Sequence, residues 1–324
     1  MSEGQAKDTR SKPLFFFGKS LYTDDVAGLS TPFAESSGLM PIFILVIRPQ
    51  RPISCCPLRC GDVATNRRLN TSLGNFFPNR GLMKFAAYDL EIAKDLPEDG
   101  KWQDVAPLGV TCAAVAFSDD VEPIFWKGIP KMSQEECQQM VLKLQEIVNS
   151  GYTLITRNGC GFDFSVLAQE SGLIKECGEL ALQHVDLMLV VTFTRGWYLS
   201  LQKALLGAGL KGKRKSVTLS GGTVLDDMGG IKAPKMWLDG EYNAVLSYLK
   251  DDIVELINLA KIISKVKEIR WRSNNGNLMS VPVPHFPTVI ECFDIPEPDV
   301  SWMTDPPTRK QFIEWIPSTV FRKF

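Results

Sequence analysis

The chain has 324 residues, of which 44% are hydrophobic and 23% are charged, a composition ordinary for a folded globular protein. Its formal net charge of −1 excludes a protein whose whole surface binds polyanions, so any contact with nucleic acid must be local or carried by metal ions. The longest apolar run, Leu39–Ile47, is far shorter than the about 20 residues of a membrane-spanning helix, and we therefore expect no membrane span.

The first 82 residues differ in character from the rest. They lack sustained periodicity, and residues 1–83 carry a net charge of +4, whereas residues 84–324 carry −5. We predict that residues 1–82 form an N-terminal extension of low structure. The abrupt change suggests that Met83 is the natural start, which the intact mass of the natively expressed protein would test.

The cysteines and the polar N-terminus bear on the compartment. Cys55, Cys56 and Cys60 cluster, but no second Cys or His pair follows at zinc-ligand spacing, so a zinc site is the minor alternative. The other five cysteines are scattered. Reduced thiols in a cytoplasmic protein without a secretory signal are the prediction.

Regular patterns begin at Lys84. Ser133 and Glu136 form a capping-box pattern ahead of apolar residues at helical spacing, and Gly151 is placed to end that helix. The predicted strands are Lys84–Ile92, Pro107–Phe117, Glu122–Lys127 and Tyr152–Thr156, and the other predicted helices are Phe164–Ser171, Leu187–Thr194, Leu201–Leu206 and Tyr242–Val266. This order predicts an α/β domain over residues 83–268, with residues 269–324 as a tail packed on it.

Two carboxylates share one face of the first strand. Asp89 and Glu91 are two residues apart, which places their Cα atoms about 6.6 Å apart on the same side of a strand. Their neighbours are apolar, which indicates a central strand. A divalent cation would relieve the repulsion between the two charges, whereas a water-exposed strand end would tolerate the pair without one.

Two further patterns place carboxylates near helices. Asn158–Asp163 (NGCGFD) follows a strand and begins a helix, where Asp163 has a simple alternative role as an N-cap. Tyr248 and Asp252 lie four residues apart and share one face of the long helix, whereas Asp251 falls on another face. Each pattern alone fits an ordinary structural role.

Together these three patterns resemble the motifs of the DEDD (DnaQ-like) 3′-to-5′ exonucleases. The resemblance lies in YDLE, in Asn158-x3-Phe162-Asp163 and in Tyr248-x3-Asp252, and the tyrosine is typical of the DEDDy branch. It covers about residues 84–265 and is nearest to the exonuclease domain of family B DNA polymerases and stand-alone bacterial relatives. It implies an RNase H-like mixed sheet of about five strands flanked by helices.

The resemblance also implies roles for the motif residues. Two divalent cations, Mg²⁺ or Mn²⁺, would lie between Asp89, Glu91, Asp163 and Asp252, with Asp89 bridging both. Tyr248 would orient the attacking water. Cleavage from the 3′ end of a single strand would then release nucleoside 5′-monophosphates.

Other residues are candidates for gripping the substrate. A basic loop before the long helix could track phosphates, and a solvated loop is an equal alternative; its residues are Lys211, Lys213, Arg214 and Lys215. Asn158 and Phe162 are expected to shape the pocket, with plain core packing an equal alternative for Phe162. Asp186 is expected to cap a helix rather than bind a ligand.

Several alternatives stay open at this point. One is an exoribonuclease of the RNase D type, and another is a catalytically silent domain that binds nucleic acid. The chain has no room for a polymerase, so a proofreading or repair role would need a partner. The absence of an extra helical RNA-binding domain after the long helix favours DNA or a short oligonucleotide as the substrate.

Overall fold

A five-stranded mixed sheet forms the centre of the structure. The computed structural model describes residues 83–98 and 100–322, so the predictions for residues 1–82 lie outside the described residues. The sheet contains β1 (Lys84–Ile92), β2 (Val110–Phe117), β3 (Ile124–Lys127), β4 (Tyr152–Thr156) and β5 (Val185–Asp186) in the order β3-β2-β1-β4-β5. The strand β1 is antiparallel to β2 and parallel to β4.

Helices cover both faces of this sheet. They are α1 (Gln134–Asn149), α2 (Asp163–Ser171), α3 (Ile174–Gln183), α4 (Leu187–Arg195), α5 (Leu201–Gly207), α6 (Ala233–Leu238) and α7 (Tyr242–Val266). The hydroxyl of Tyr88 reaches Met140 of α1, 3.9 Å away. Because successive strand residues point to opposite faces, Asp89 points away from α1 and towards α7, which packs on β1 and β2.

The fold-class prediction is confirmed. The molecule has an α/β architecture in which a five-stranded mixed sheet is flanked by helices, consistent with an RNase H-like fold. The capping box at Ser133 is also present, since its hydroxyl accepts from the Glu136 amide while the Glu136 carboxylate accepts from the Ser133 amide.

Several boundaries differ from the predicted ones. The strand β2 begins at Val110 rather than Pro107, because Gly109 has a positive φ of 69° and breaks the extended run. Similarly, β3 begins at Ile124, directly after Pro123, which lacks the amide needed for a ladder. The helix α3 was not predicted, and its N-cap residue makes no side-chain capping bond that the sequence could reveal.

Beyond the large sheet the chain forms two hairpins and short helices. The strands β6 (Val217–Thr218) and β7 (Val224–Leu225) pair, as do β8 (Glu268–Arg272) and β9 (Leu278–Pro282). The helices α8 (Val289–Cys292) and α9 (Ser318–Phe321) lie in the last segment. The strand β8 runs across the predicted boundary at residue 268, and the division into 83–268 and 269–324 stays a prediction.

The described cysteines are buried, and none of them forms a disulfide with another described cysteine. They are Cys112, Cys137, Cys160, Cys177 and Cys292, and their reduced state stays a prediction. Burial raises the pKa of both Cys137 and Cys177 to about 12, which keeps these thiols protonated at neutral pH. Over the residues that the structure describes, none of the helices combines the length and apolarity that crossing a membrane requires.

The contact between α5 and β8 gives a test of the fold. A Cβ atom added at Gly207 would overlap the backbone carbonyl of Arg270, which has no rotamer to move away. We expect Gly207→Ala to destabilise the protein by about 1–3 kcal/mol despite the better helix propensity of alanine.

Urea unfolding of the variant would measure this loss. Gly221→Ala is the matched control, because a Cβ at Gly221 meets no atom within 4 Å. Equal unfolding free energies for the two variants would contradict the close packing of α5 on β8.

Candidate active site

The carboxyl end of β4 places a turn beside the middle of β1. The last pair between the two strands joins Ala87 to Ile155, and β4 ends one residue later at Thr156. Beyond Ala87 the edge of β1 is therefore no longer covered by β4. Residues 157–162 turn there and lead into α2.

Asp163 binds this uncovered edge. Its side chain is 3% exposed, and its Oδ1 accepts a hydrogen bond of 3.3 Å from the backbone amide of Leu90. Asp163 is the first residue of α2, and the N-cap residue is Phe162. The carboxylate thus lies beside the strand segment between Asp89 and Glu91, which brings the second motif to the first.

Asp186 holds the turn at residues 157–162 through hydrogen bonds. Its carboxylate accepts from the amides of Asn158 at 2.9 Å and Cys160 at 3.1 Å. It also accepts from the amides of Met188 and Leu189 at the start of α4. The prediction that Asp186 acts as a cap is confirmed, and the same carboxylate also holds the turn that precedes Asp163.

A buried histidine supports the same turn. Nδ1 of His184 donates to the carbonyl of Ala181 at 2.7 Å, so its Nε2, 2.9 Å from Thr156 Oγ1, accepts the hydroxyl proton of Thr156. The hydroxyl oxygen of Thr156 in turn accepts from the Gly159 amide. Burial lowers the pKa of His184, although Asp186 opposes the shift, and the ring is thereby kept neutral.

The long helix α7 supplies the third motif together with a lysine. Tyr248 and Asp252 are 2% and 5% exposed. The ammonium of Lys213 lies 2.6 Å from Oδ2 of Asp252 and donates to the Tyr248 hydroxyl at 2.8 Å. Burial lowers the pKa of Lys213, but Asp252 and Tyr248 outweigh burial and hold the pKa above its usual range. Lys213 is therefore charged at the site.

One small pocket joins the first and third motifs. Asp89 and Asp252 both line it, with Lys213 and Arg157 beside them, and the remaining lining residues are Tyr88, Leu201, Ile253 and Leu256. Sequence reasoning missed Arg157. Its only available signal was its position directly after a strand and directly before Asn158, where the ends of parallel strands gather functional groups.

The carboxylates of the three motifs have the donor atoms that a divalent cation binds. Carboxylate oxygens are the ligands that Mg²⁺ and Mn²⁺ prefer, and Glu91, 1% exposed, shares the strand face of Asp89. Within residues 83–98 and 100–322, however, no three acidic, histidine or cysteine side chains gather closely enough to hold a metal ion. The carboxylate oxygens are thus suitable donor atoms for such an ion, but in this structure the carboxylate of Asp252 is paired with Lys213.

The four basic loop residues do not all lie at the pocket in the structure. Lys213 enters the pocket, and its backbone amide is held by Oε1 of Gln202 at 2.5 Å. Lys211 and Lys215 are exposed, and Arg214 pairs with Asp251 across 3.0 Å on the surface. Only Lys213 therefore lies with the motif carboxylates.

Asn158 and Phe162 take up buried positions in the turn. Asn158 has a left-handed φ of 69°, and its buried Oδ1 has no hydrogen-bond partner within the described part of the chain. Phe162 is 4% exposed and stacks edge-on against Trp102, with ring centroids 5.5 Å apart. Neither lines the pocket, so their contribution to substrate binding stays a prediction.

The last segment of the chain also contacts the turn. The indole Nε1 of Trp315 donates to the carbonyl of Cys160 at 2.8 Å, and the Cys160 thiol donates to the carbonyl of Phe312 at 3.4 Å. The Phe312 ring lies against Gly161, where a Cβ atom would meet it at 2.9 Å. Sequence reasoning missed these contacts because no local pattern links residues so far apart.

The chain has little similarity to known proteins. No protein-family model and no curated protein matches it. Among solved structures it is similar to the family B DNA polymerase from the hyperthermophilic archaeon Pyrobaculum calidifontis, with 17% identity and a TM-score of 0.41. The match covers 56% of this chain and only 24% of the polymerase chain, and this similarity is too low to assign a function.

The neutral state of His184 makes stability depend on pH. The unfolded ring takes up a proton near pH 6.5, whereas the folded ring has a lowered pKa and resists protonation. The unfolded state therefore binds more protons below about pH 6.5, and we expect the free energy of unfolding to fall between about pH 7 and pH 5.5.

Urea unfolding at several pH values would measure this slope. His184→Gln should abolish it, whereas His285→Gln, which changes the other, exposed histidine, should keep it. The same slope in wild type and His184→Gln would show that His184 does not resist protonation in the fold.

Proposed function

We propose that this protein is a metal-dependent 3′-to-5′ exonuclease that hydrolyses the phosphodiester bonds of single-stranded nucleic acid, with DNA favoured. The observation that carries the proposal is the convergence of three distant motifs. Asp89 and Asp252 line one pocket, and the carboxylate of Asp163 binds the Leu90 amide beside them. Nucleoside 5′-monophosphates are the proposed products.

We assign the proposed metal ligands to this chain's carboxylates. Asp89, Glu91, Asp163 and Asp252 would hold two ions of Mg²⁺ or Mn²⁺, which when bound activate water and stabilise charge on the phosphate. Lys213 would have to leave Asp252 for that carboxylate to take part. The proposal therefore includes a shift of the Lys213 side chain, which follows Gly212 with its positive φ of 87°.

Tyr248 would orient the attacking water. Its hydroxyl oxygen accepts a hydrogen bond from Lys213, which lines the pocket. Lys211, Lys213, Arg214 and Lys215 remain the proposed contacts to the strand. Of these, Lys213 alone lines the pocket and is the residue best placed to meet a phosphate.

A catalytically silent nucleic-acid-binding domain is the second candidate. The Lys213–Asp252 ion pair favours it, because a side-chain cation already compensates one of the carboxylates that a metal ion would need. An exoribonuclease of the RNase D type would use the same chemistry on RNA. The choice between DNA and RNA therefore belongs to the assay.

The decisive experiment uses the full chain and single strands of DNA and RNA labelled at either end. Incubation with Mg²⁺ or Mn²⁺ should shorten one polymer stepwise from its 3′ end, and EDTA should stop this. The Asp89→Ala variant should be inactive. A folded wild-type protein that cleaves neither polymer in either metal would refute the exonuclease proposal and favour the silent domain.

Two neighbouring aspartates give a sharper test. Asp252→Asn should slow cleavage by about 1,000-fold, because removing a metal-binding charge removes several kcal/mol of transition-state stabilisation. Asp251→Asn should cleave at close to the wild-type rate, since Asp251 pairs with Arg214 at the surface.

Single-turnover cleavage rates at saturating Mg²⁺ would compare the two variants. Circular dichroism would check that both are folded. Equal losses in the two variants would contradict the assignment of Asp252 to the active site.

A further inference from the structure

Arg157 is the pocket residue that the three motifs leave unexplained. It is the first residue after β4 and immediately precedes Asn158, so the sheet itself fixes the position of its backbone. Its side chain lines the same pocket as Asp89, Lys213 and Asp252. Arg157 thus lies where the first and third motifs meet.

The guanidinium of the half-buried Arg157 makes few hydrogen bonds. Its Nη2 donates to the carbonyl of Leu199 at 3.2 Å, and its buried Nε has no hydrogen-bond partner within the described residues. Guanidinium carries five N–H donors in a planar fork that matches a carboxylate or a phosphate. A buried donor without a partner is rare in a folded protein and calls for a physical explanation.

The surrounding charges restrict what that explanation can be. Burial lowers the pKa of Arg157, and the nearby carboxylates of Asp186, Asp252, Asp89 and Asp163 oppose the shift. The hydrogen bond of its Nη2 nevertheless goes to the carbonyl of Leu199 rather than to any of these carboxylates. The carboxylates stabilise the charge through space and leave donor capacity at the pocket.

With two divalent cations bound, the net charge around the pocket would favour an anionic ligand for the N–H donors of Arg157. The motif carboxylates with Asp186 carry five negative charges, and Lys213 and Arg157 carry two positive charges, which leaves three negative charges. Two divalent cations would turn this into a surplus of one positive charge. One phosphodiester group would neutralise the surplus, and the guanidinium fork is the group suited to bind it.

We propose that Arg157 binds a phosphate group of the ligand in this pocket, and so sets the preference for a phosphorylated over an unphosphorylated nucleoside. This inference rests on the proposed function, because the pocket is taken as the site of a nucleotide. The phosphate can belong to the strand, as a diester, or to the product, as a monoester. Both present the same oxygens to the guanidinium.

The competing explanation is a purely structural role. Arg157 would then be only a counter-ion that offsets the repulsion among the carboxylates. A structural counter-ion would affect stability and would affect the binding of every ligand equally. A phosphate-binding residue would affect only ligands that carry a phosphate, and this difference makes the two roles separable.

The experiment measures the affinity of the full chain for thymidine 5′-monophosphate and for thymidine by calorimetry, with Mg²⁺ and again with EDTA. With Mg²⁺, wild type should bind the monophosphate more tightly. Arg157→Gln should weaken monophosphate binding by about 10- to 100-fold, the loss expected for a charge-assisted hydrogen bond, and leave thymidine binding unchanged. Arg157→Lys should keep part of the preference, because it keeps the charge without the fork.

The control is Arg195→Gln. Arg195 is exposed and donates to the carbonyl of Ser280, away from the pocket, so its loss should leave both affinities as in wild type. An unchanged preference in Arg157→Gln would overturn the proposal, and so would an equal weakening of both ligands. If Arg157→Gln does not fold, Arg157→Lys with the full wild-type preference overturns it instead.

A second experiment, on the cleavage of strands, distinguishes binding of the phosphodiester from binding of the monoester. The KM of Arg157→Lys would be measured from initial rates of cleavage of labelled single strands. If Arg157 binds the phosphate of the strand, this KM should be higher than that of wild type. An unchanged KM with weakened monophosphate binding would assign Arg157 to the product. A wild type that cleaves no strand refutes the exonuclease, whereas the monophosphate preference and its loss in Arg157→Gln can still be measured.

Discussion

Compensation of buried negative charge is the constraint on which the rest of the site depends. Several carboxylates lie in or beside one pocket wall, and like charges in a poorly solvated setting are costly unless cations or hydrogen bonds offset them. Asp163 is offset by the Leu90 amide and Asp252 by Lys213. Arg157 lies within the field of four carboxylates. The pocket therefore combines an acidic lining with two built-in cations.

The sheet geometry makes this concentration of charge possible. Because β4 stops pairing with β1 at Ala87, the amide of Leu90 is left for a side chain to bind, and Asp163 supplies that side chain. The turn between them is held from three directions. Asp186 binds its amides, His184 binds Thr156 at its start, and the last segment of the chain binds the carbonyl of Cys160. A turn fixed in this way holds the buried carboxylate of Asp163 in place at the start of α2.

Most of the architecture could be predicted because it depends on local patterns. The strand Lys84–Ile92 and the helix Tyr242–Val266 were predicted with the bounds that the structure has, since the strand is a long apolar run and the helix repeats apolar residues at helical spacing. The helix α3 was missed although its apolar residues recur at helical spacing, because its start has no side-chain cap, and the two-residue strand β5 was missed as well. The strand β5 exists because β4 and α4 position it in the sheet, and two residues alone contain no periodicity to read.

The sequence alone determined which residue types could form the site and in what order they occur. The spacing within each motif follows from the repeat of a strand or a helix, so Asp89 with Glu91 and Tyr248 with Asp252 share faces wherever those elements form. Only the tertiary structure decided that the side chain of Lys213 extends from the basic loop to pair with Asp252, and that Arg157 lines the same pocket. These are contacts between segments distant along the chain. Their energies depend on burial and on distances of a few ångströms, neither of which any local pattern contains.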